Sequence, residues 1–377
     1  MAAAPGERGA VAGAAGAPGR EGGRVLSIQS HVVSGYVGNK SATLPLQLLG
    51  FDVDPVMSVQ FSNHTGYPTI KGKAFGGDHL LELLEARAHG GYIGTLSLLE
   101  AIATVARTLR AANPQLTYVC DPVLGDDGHC YVEKDLIGAY KTTILPLASI
   151  LTPNSFEAGL LTGLPVRDEA EALAACDALH ALGPHTVVIT SMDLAGDASS
   201  SQPASGGQPA SSSQPASDGG DKDGDPAADG PLRPVPGAYI SLVASTRQEQ
   251  LPGRPSAFRI RIPKLDAYFT GTGDLLSALL LAWCARHPAD LALAVEKAVA
   301  GLQAVLRVTA AAVHETERRE GSAGGGGGGG GGAHDLLSSK GRTAAVFRAK
   351  ELRLVQARHA LVDPEVELRA EPLRRGQ

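Results

Sequence analysis

Short apolar runs of β type alternate with longer helical patterns along this chain, and this alternation most constrains its fold. Two of the runs, Leu116–Asp121 and His185–Thr190, are nearly continuous in apolar residues. Such continuity is typical of strands that are covered on both faces. The alternation therefore predicts βαβ units and a mainly parallel sheet. Further strands are predicted at 24–29, 54–60, 149–152, 238–244 and 258–262, and helices at 42–49, 78–88, 95–112, 168–182, 272–286 and 291–313. Two short alternating runs in the tail, 351–356 and 366–369, could close the sheet edge.

Three stretches of low sequence complexity interrupt this pattern. Residues 1–23 are rich in Ala, Gly and Pro, residues 195–236 are almost entirely Ser, Gly, Pro, Ala and Asp, and residues 321–343 contain nine consecutive glycines. None of them can bury enough apolar surface to order itself. We interpret them as an N-terminal tail, a surface insertion between two strands and a linker. The remaining roughly 290 residues fit a single domain over 24–377 that the two insertions interrupt.

Composition excludes several classes of protein. The net charge is −6 with no basic block, so a dedicated nucleic-acid binder is not expected. No run of apolar residues is long enough for a membrane span. The four cysteines are scattered without CxxC spacing, which favours a reducing, cytoplasmic compartment. The first 23 residues lack the apolar core of a secretory signal. A transit peptide stays open as the alternative to a plain tail.

The segment Thr270–Asp274 (TGTGD) follows a strand-like stretch, 265–269, and opens an apolar helix. Glycines at a helix start let the backbone approach a ligand, and the free N–H groups attract anions. The aspartate beside such an anion site suits phosphoryl transfer, because it can orient or deprotonate the attacking hydroxyl. A helix start in which Asp274 only complements the dipole explains the same residues equally well.

Acidic residues follow two further predicted strands. Asp121 and Asp126 surround a turn at the end of a buried strand, which suits a magnesium ion that also binds phosphates. Glu157 lies in the segment Leu151–Glu157 (LTPNSFE), where it could reach the water shell of that metal. An ordinary strand-end turn and a capping box around Asn154 are the structural alternatives.

Polar and aromatic residues also cluster after the first two strands, at Ser30–Asn39 and Gln60–Tyr67. Such clusters can bind a flat polar ring by stacking and hydrogen bonding. The histidines in them, His31 and His64, do not have paired metal-ligand spacing, and a histidine held by local hydrogen bonds is the simpler interpretation of each.

In their order along the chain, these motifs resemble the pyridoxal kinases, a family of the ribokinase-like superfamily. The matching stretches are SIQSHVVSGYVGNKSATLPLQLLGFDVD, SVQFSNHTGY, YVCDPVLGD, LTPNSFEA, GPHTVVITS and YFTGTGDLLSALLLAW. They cover most of residues 24–314, and the resemblance resumes at ELRLVQ near Glu351. It implies an α/β ribokinase-like fold, three layers α/β/α around a central, mostly parallel sheet.

The resemblance also implies an activity and the residues that carry it. A pyridoxal kinase transfers the γ-phosphoryl of ATP to the 5′-hydroxymethyl group of pyridoxal, pyridoxine or pyridoxamine. Asp274 matches the family's catalytic base, and Gly271, Thr272 and Gly273 match its anion hole. The positions that match residues around the pyridine ring are Ser30, Val37, Thr65 and Tyr92.

Other matching positions belong to the nucleotide and its cations. Asp121, Asp126 and Glu157 match the acidic set around magnesium and the ATP phosphates. The nucleotide or monovalent-cation contacts match Thr152, Asn154 and Ser191, and Leu265 matches the position against adenine. The resemblance further implies Mg²⁺, activation by K⁺ or Na⁺, and a homodimer.

One departure from the family concerns the segment His89–Gly94. Pyridoxal kinases have an interior strand before the tyrosine that matches Tyr92, and no apolar run of strand length stands here. Loss of that strand would leave buried strand edges unpaired. Two other functions therefore stay open: a non-catalytic homologue that binds the vitamin, and a hydroxymethylpyrimidine or sugar kinase of the same superfamily.

Overall fold

Helices and strands alternate through the computed structural model of the chain, which describes residues 23–85, 96–126, 128–132, 134–192, 234–265, 269–323 and 348–374. The elements in chain order are β1 (Arg24–Val32), α1 (Asn39–Leu48), β2 (Asp52–Phe61), β3 (Gly72–Ala74), α2 (Gly77–Glu85), α3 (Leu96–Ala112), β4 (Val119–Cys120), β5 (Gly125–Asp126), β6 (His129–Cys130), α4 (Lys134–Ala139), β7 (Ile150–Leu151), α5 (Ser155–Thr162), α6 (Glu169–Ala181), β8 (Thr186–Met192), β9 (Pro234–Thr246), β10 (Ala257–Leu265), α7 (Thr272–Arg286), α8 (Leu291–Ala323), α9 (Arg358–Val362) and β11 (Glu371–Pro372). A π-helical turn over Tyr140–Ile144 and a 3₁₀ turn over Leu145–Leu147 continue α4. Among the described helices, none has the length and apolar character that crossing a membrane requires.

The strands form a three-stranded sheet, β1-β2-β3, a six-stranded sheet, β11-β10-β9-β8-β7-β4, and the hairpin β5-β6. The pairs β1·β2, β4·β7 and β7·β8 are parallel, as the alternation with helices predicts. From β8 onwards the neighbours β9, β10 and β11 run antiparallel. The six-stranded sheet is thus mixed, and the described connection between β9 and β10, residues 247–256, contains no helix that would return the chain for a parallel pairing.

Strand β8 shows why the sheet has helices on both sides. Val188 belongs to one core cluster with residues of α1, α7 and α8. Its neighbours Val187 and Ile189 belong to a second cluster with residues of α3, α5 and α6. Successive side chains of a strand point to opposite faces, so a continuous apolar run is buried twice. This confirms the predicted three-layer α/β arrangement.

Several predicted boundaries are wrong. Strand β9 begins at Pro234 and α8 ends at Ala323, so residues 234–236 and 321–323 belong to elements and not to the low-complexity insertions. The remainder of the insertions and residues 1–22 lie outside the described residues.

The sheet edge is also closed elsewhere than predicted. The strand that pairs with β10 is β11, whereas residues 351–356 and 366–369 form no strand. Leu352 and Leu354 are fully buried in the core cluster that contains α8. Their alternating pattern reflects this packing and not a strand pairing.

One edge of β1 and one edge of β4 have no strand beside them in the described part of the chain. There β1 pairs with β2 alone, and β4 pairs with β7 alone. Residues 25–30 and 116–121 border the same cavity, which has a volume of about 620 Å³. The segment 89–94, where the sequence suggests a missing strand, lies outside the described residues.

Candidate active site

The cavity of about 620 Å³ between β1, β4 and the start of α7 brings together residues from four of the sequence motifs. Five predicted site residues line it: Ser30, Val37, Thr65, Asp121 and Asp274. They come from strand ends or helix starts that are far apart in sequence. Polar side chains such as Ser30 and Asp274 line part of the cavity, and leucines of α3 and α7 line another part. Such a pocket suits a small ring that carries a few polar substituents.

Asp274 lies in the first turn of α7, on the wall of this cavity. Its Oδ2 accepts a hydrogen bond of 2.7 Å from the backbone N–H of Gly38. Gly271 begins the helix in the left-handed conformation with φ 85°, and no side chain caps the helix there. A Cβ on Gly271 would lie 2.2 Å from the carbonyl oxygen of Tyr36, so only glycine fits. The first N–H groups of α7 have no partner within the helix and are available to an anion beside the carboxylate.

The pKa of Asp274 shifts in the opposite direction from what the helix dipole alone would give. A carboxylate at a helix N-terminus is expected to keep a low pKa. Burial at the cavity wall raises the pKa of Asp274, and the hydrogen bond from Gly38 opposes this rise only in part. The sequence could not show this, because the burial comes from elements remote in the chain. A carboxylate with a raised pKa is a better proton acceptor.

Asp121 follows β4 and faces the same cavity. Burial raises its pKa well above the ordinary value, and the charges of Glu157 and Asp274 raise it further. Ser277 lies one turn beyond Asp274. Its hydroxyl is 3.4 Å from Oδ2 of Asp121 and 3.0 Å from the hydroxyl of Thr152. The next turn is strained, because Val123 has φ 44° in a region that β-branched residues rarely adopt. Its backbone N–H donates to Asp121 and lowers the pKa of that carboxyl.

Glu157 and Asn154 form the capping box that the sequence indicated as the structural alternative. The Asn154 side chain accepts from the N–H of Glu157 at 2.8 Å, and Oε2 of Glu157 accepts from the N–H of Asn154 at 2.9 Å. Oε1 of Glu157 accepts from the N–H of Leu124 at 2.7 Å and that of Gly125 at 3.4 Å. The Asn154 amide also donates to the carbonyl of Gly125 at 2.8 Å. This pair therefore fixes the turn that carries Asp126, besides starting α5.

The predicted acidic set does not form a metal cage. No group of three His, Cys, Asp or Glu residues that could hold a metal ion occurs within the described ranges. Asp121 and Glu157 interact through their charges, and so do Glu157 and Asp126. Both oxygens of Glu157 are already engaged with backbone N–H groups. These carboxylates suit a cation that is bound mainly by phosphate and water, and not an all-protein site.

Ser30 lies where β1 changes register against β2, after Gln29. A Cβ on Gly38 would lie 2.1 Å from the Ser30 carbonyl oxygen, so the loop after β1 folds back tightly onto the strand end. The Nδ1 atom of His64 accepts a local hydrogen bond of 3.1 Å from Gly66, as expected. The expectation for His31 is wrong, because its Nδ1 is buried and has no partner in the described part of the chain.

Other predicted residues do not line the cavity. Thr152 is buried and hydrogen-bonds to Ser277, which itself lines the cavity. Ser191 lies near the end of β8, where the register against β9 is irregular. Leu265 ends β10 and packs against the core cluster of α7 and α8. Tyr92 lies outside the described residues.

Sequence reasoning missed Ser277, Gly38 and Glu351. Ser277 follows Asp274 by three positions, and that helical spacing places both on one face. Gly38 and Glu351 lie inside the recognised stretches SGYVGN and ELRLVQ, but their partners are too remote to be deduced from spacing. Glu351 accepts hydrogen bonds from Tyr36, in the loop after β1, and from Tyr67, in the loop after β2.

Comparisons with known proteins show which family the chain resembles in sequence and fold. The Phosphomethylpyrimidine kinase family model matches residues 85–211. The pyridoxal kinase of Arabidopsis thaliana is 42% identical over 359 residues, covering 93% of this chain and 94% of that protein. The pyridoxal kinase of Homo sapiens is 39% identical over 363 residues, covering 92% of this chain and 97% of that protein.

A solved structure, pyridoxal kinase from Leishmania donovani in complex with ADP and ginkgotoxin, superposes with a TM-score of 0.65 at 30% identity. The match covers 93% of this chain and 99% of the Leishmania donovani chain. Fold, site and relatives together define a phosphotransferase. Within that class, the chain belongs to the pyridoxal kinase family. The fold class and the family that the motifs implied are both confirmed.

Proposed function

We propose that this chain transfers the γ-phosphoryl group of ATP to the 5′-hydroxymethyl group of pyridoxal, pyridoxine and pyridoxamine. One observation carries the proposal: Asp274, held by the N–H of Gly38, stands beside the uncapped start of α7 in a cavity that Ser30 and Thr65 also line. Relatives from Leishmania donovani have been solved with ADP and pyridoxine and with ADP and pyridoxamine, which supports the same substrates here.

The chain's own residues can perform the transfer. Ser30, Val37 and Thr65 would hold the ring and its substituents, with Tyr92 as the fourth member of this set. Asp274 would orient the acceptor hydroxyl and take its proton late in a loose transition state. The N–H groups of Gly271, Thr272 and Gly273 would stabilise the charge that develops on the moving phosphoryl group.

The acidic residues fit a magnesium ion that arrives with ATP. The charged groups that raise the pKa of Asp121 are the carboxylates Glu157 and Asp274, and a cation relieves such repulsion. Asp121 and Asp126 would hold the ion together with water or phosphate oxygens. Glu157 would contact the water bound to the ion, and it also fixes the turn that carries Asp126. When bound, Mg²⁺ would supply positive charge that neutralises the phosphates.

Nucleotide and monovalent-cation contacts are assigned to the remaining positions. We propose that Thr152, Asn154 and Ser191 contact the nucleotide or an activating K⁺ or Na⁺, and that Leu265 packs against adenine. Thr152 is linked to Asp121 through Ser277, and the Thr190 N–H donates to the Pro153 carbonyl at 2.9 Å. These bonds hold the strand ends of β7 and β8 together at the edge where ligands bind in such sheets.

The assembly and location are proposed on the family resemblance and on the cysteines. We propose a homodimer, one kinase domain over 24–377, and a cytoplasmic location. All four cysteines are free, as a reducing compartment favours. Light scattering would measure the oligomeric state, and limited proteolysis would show whether cleavage outside the insertions is resisted.

The test is formation of pyridoxal 5′-phosphate by the purified chain with ATP, Mg²⁺ and K⁺, beside the Asp274→Asn variant. Turnover by the wild type and loss in the variant supports the proposal. The match to the phosphomethylpyrimidine kinase model makes hydroxymethylpyrimidine the second candidate substrate, so it belongs in the panel. A larger kcat/KM for hydroxymethylpyrimidine would replace the proposed substrate class. Vitamin binding without any turnover would favour the non-catalytic homologue.

A further inference from the structure

A single carboxylate, that of Glu351, joins two loops that carry lining residues of the cavity. The first loop, 33–38, follows β1 and carries Val37. The second loop, 62–71, follows β2 and carries Thr65. Oε2 of Glu351 accepts from the backbone N–H of Tyr36 in the first loop at 2.9 Å. Oε1 accepts from the Tyr67 hydroxyl in the second loop at 3.1 Å.

The second loop meets this carboxylate at His64 as well. The Nε2 atom of His64 lies 3.5 Å from Oε1 of Glu351, and both side chains are 11% exposed. Because Nδ1 of His64 accepts from the Gly66 N–H at 3.1 Å, a neutral His64 carries its proton on Nε2 and points it at Glu351. Tyr67 packs edge-on against His64 with ring centroids 4.7 Å apart. Burial and the charge of Glu351 raise the pKa of Tyr67 to about 12, so its hydroxyl stays a donor at neutral pH.

The first loop is shaped around the same carboxylate. Gly35 has φ 93°, and a Cβ there would lie 2.3 Å from Oε1 of Glu351. The loop ends at Gly38, whose N–H donates to Asp274. One short stretch of backbone therefore connects Glu351 to the proposed catalytic base.

The segment that carries Glu351 is firmly anchored. Ala349, Leu352 and Leu354 are buried in the core cluster of α7 and α8. The N–H of Arg353 donates to the hydroxyl of Thr309 on α8 at 3.0 Å. The carboxylate is thus presented to both loops from the rigid core, although 315 residues separate it from Tyr36 in the sequence.

We propose that Glu351 is a positioning residue for vitamin binding, which clasps the two loops so that Val37 and Thr65 face the ring together. This inference rests on the proposed function. Without the carboxylate, the donors of Tyr36 and Tyr67 lose their shared acceptor and the loops can separate. The ring site then opens, while the ATP side, built from Asp121 and its neighbours, keeps its own contacts.

The test compares Glu351→Ala, Glu351→Asp and Tyr67→Phe with the wild type in steady-state kinetics, varying pyridoxal and ATP separately. The matched control is Glu367→Ala, which removes a carboxylate of the same C-terminal segment that pairs with Arg307 on α8. We expect Glu351→Ala to raise the KM for pyridoxal about tenfold or more and to leave the KM for ATP within about twofold. Glu351→Asp should lie between Ala and the wild type, and the control should match the wild type.

A merely structural role would give a different pattern. If Glu351→Ala lowers Tm strongly and raises both KM values alike, or if the KM for pyridoxal stays at the wild-type value, the positioning role is refuted. Combining Glu351→Ala with Tyr67→Phe should cost less than the sum of the two single effects, because they share one interaction. Full additivity would also refute the clasp. Failure of the proposed function is distinct, since the wild type itself would then form no pyridoxal 5′-phosphate.

Discussion

Replacing Asp274 by Asn should make the protein more stable at neutral pH while it removes most of the turnover. Burial raises the pKa of this carboxyl, so the folded state holds its charged form less readily than the unfolded chain does. Such a group lowers the stability as the pH rises from its unfolded-state pKa to its raised folded-state pKa, and the full loss persists above the folded-state pKa. Asn keeps the shape and its oxygen can still accept from Gly38, but it carries no charge. The charge of Asp274 also raises the pKa of Asp121, so its removal relieves that carboxyl too.

The size of the gain follows from linkage. Each tenfold difference in proton affinity between folded and unfolded states is worth about 1.4 kcal/mol. For a domain of this size, 1 kcal/mol moves Tm by about 2–4 °C. The stability gain of the variant should be near zero below about pH 4, where Asp274 is protonated in both the folded and the unfolded state. The stability gain should grow as the pH rises from there to the raised pKa of the folded state, and above that pKa it should stay constant.

The assay is thermal unfolding of the wild type and Asp274→Asn between pH 4 and pH 8, in EDTA so that no divalent cation screens Asp121. Turnover measured at pH 7.5 should fall by about 10²–10⁴, the usual contribution of a positioned base. The exposed Asp52 provides the control, since Asp52→Asn should change neither Tm nor turnover. A variant that is equally stable or less stable than the wild type at pH 8 would refute the argument from burial. A variant with near-native turnover would refute the assignment of the base.

Three further predictions can be checked with the same assays. Gly271→Ala should lose turnover and lower Tm, because its Cβ would lie 2.2 Å from the Tyr36 carbonyl oxygen at a φ of 85°; retention of both properties would contradict the tight approach of the two loops. Glu157→Gln should lower stability by about 1–3 kcal/mol, since one of its backbone donors loses a good acceptor. It should also raise the Mg²⁺ concentration needed for turnover, while the affinity for pyridoxal stays unchanged. Inserting an apolar, β-branched stretch of about six residues between Gly91 and Tyr92 should raise Tm by supplying a partner for the edges of β1 and β4 that have none among the described residues. A Gly/Ser insertion of equal length is the control, and equal Tm values would contradict the prediction.

The layered fold could be predicted from local sequence because burial leaves a periodic trace. The run Val187–Ile189 is apolar at every position, and the structure buries it on both faces of the sheet. The capping box at Asn154 was also predictable, since it needs only residues three positions apart. The C-terminal strand was misplaced because alternating leucines such as Leu352 and Leu354 serve loop packing as well as strand pairing.

Properties of the site that depend on distant elements could not be predicted in this way. Asp274 was recognisable from TGTGD, but the direction of its pKa shift depends on burial against the loop that contains Gly38. The left-handed backbone of Val123 has no signal in its residue type, because valine rarely adopts that conformation. It becomes understandable once Asp121 is seen to accept from its N–H.

The connection from Glu351 to the proposed base explains why a chain with three low-complexity stretches can still hold a compact site. The carboxylate fixes the first loop at Tyr36, and the same loop reaches Asp274 through Gly38. Asp274 in turn stands on α7, which packs with α8 and with Leu352 in one core cluster. The path therefore closes on itself, and each contact restrains the others. Sequence outside this closed path can lengthen without moving the reacting groups, because closing a longer surface loop costs little extra free energy.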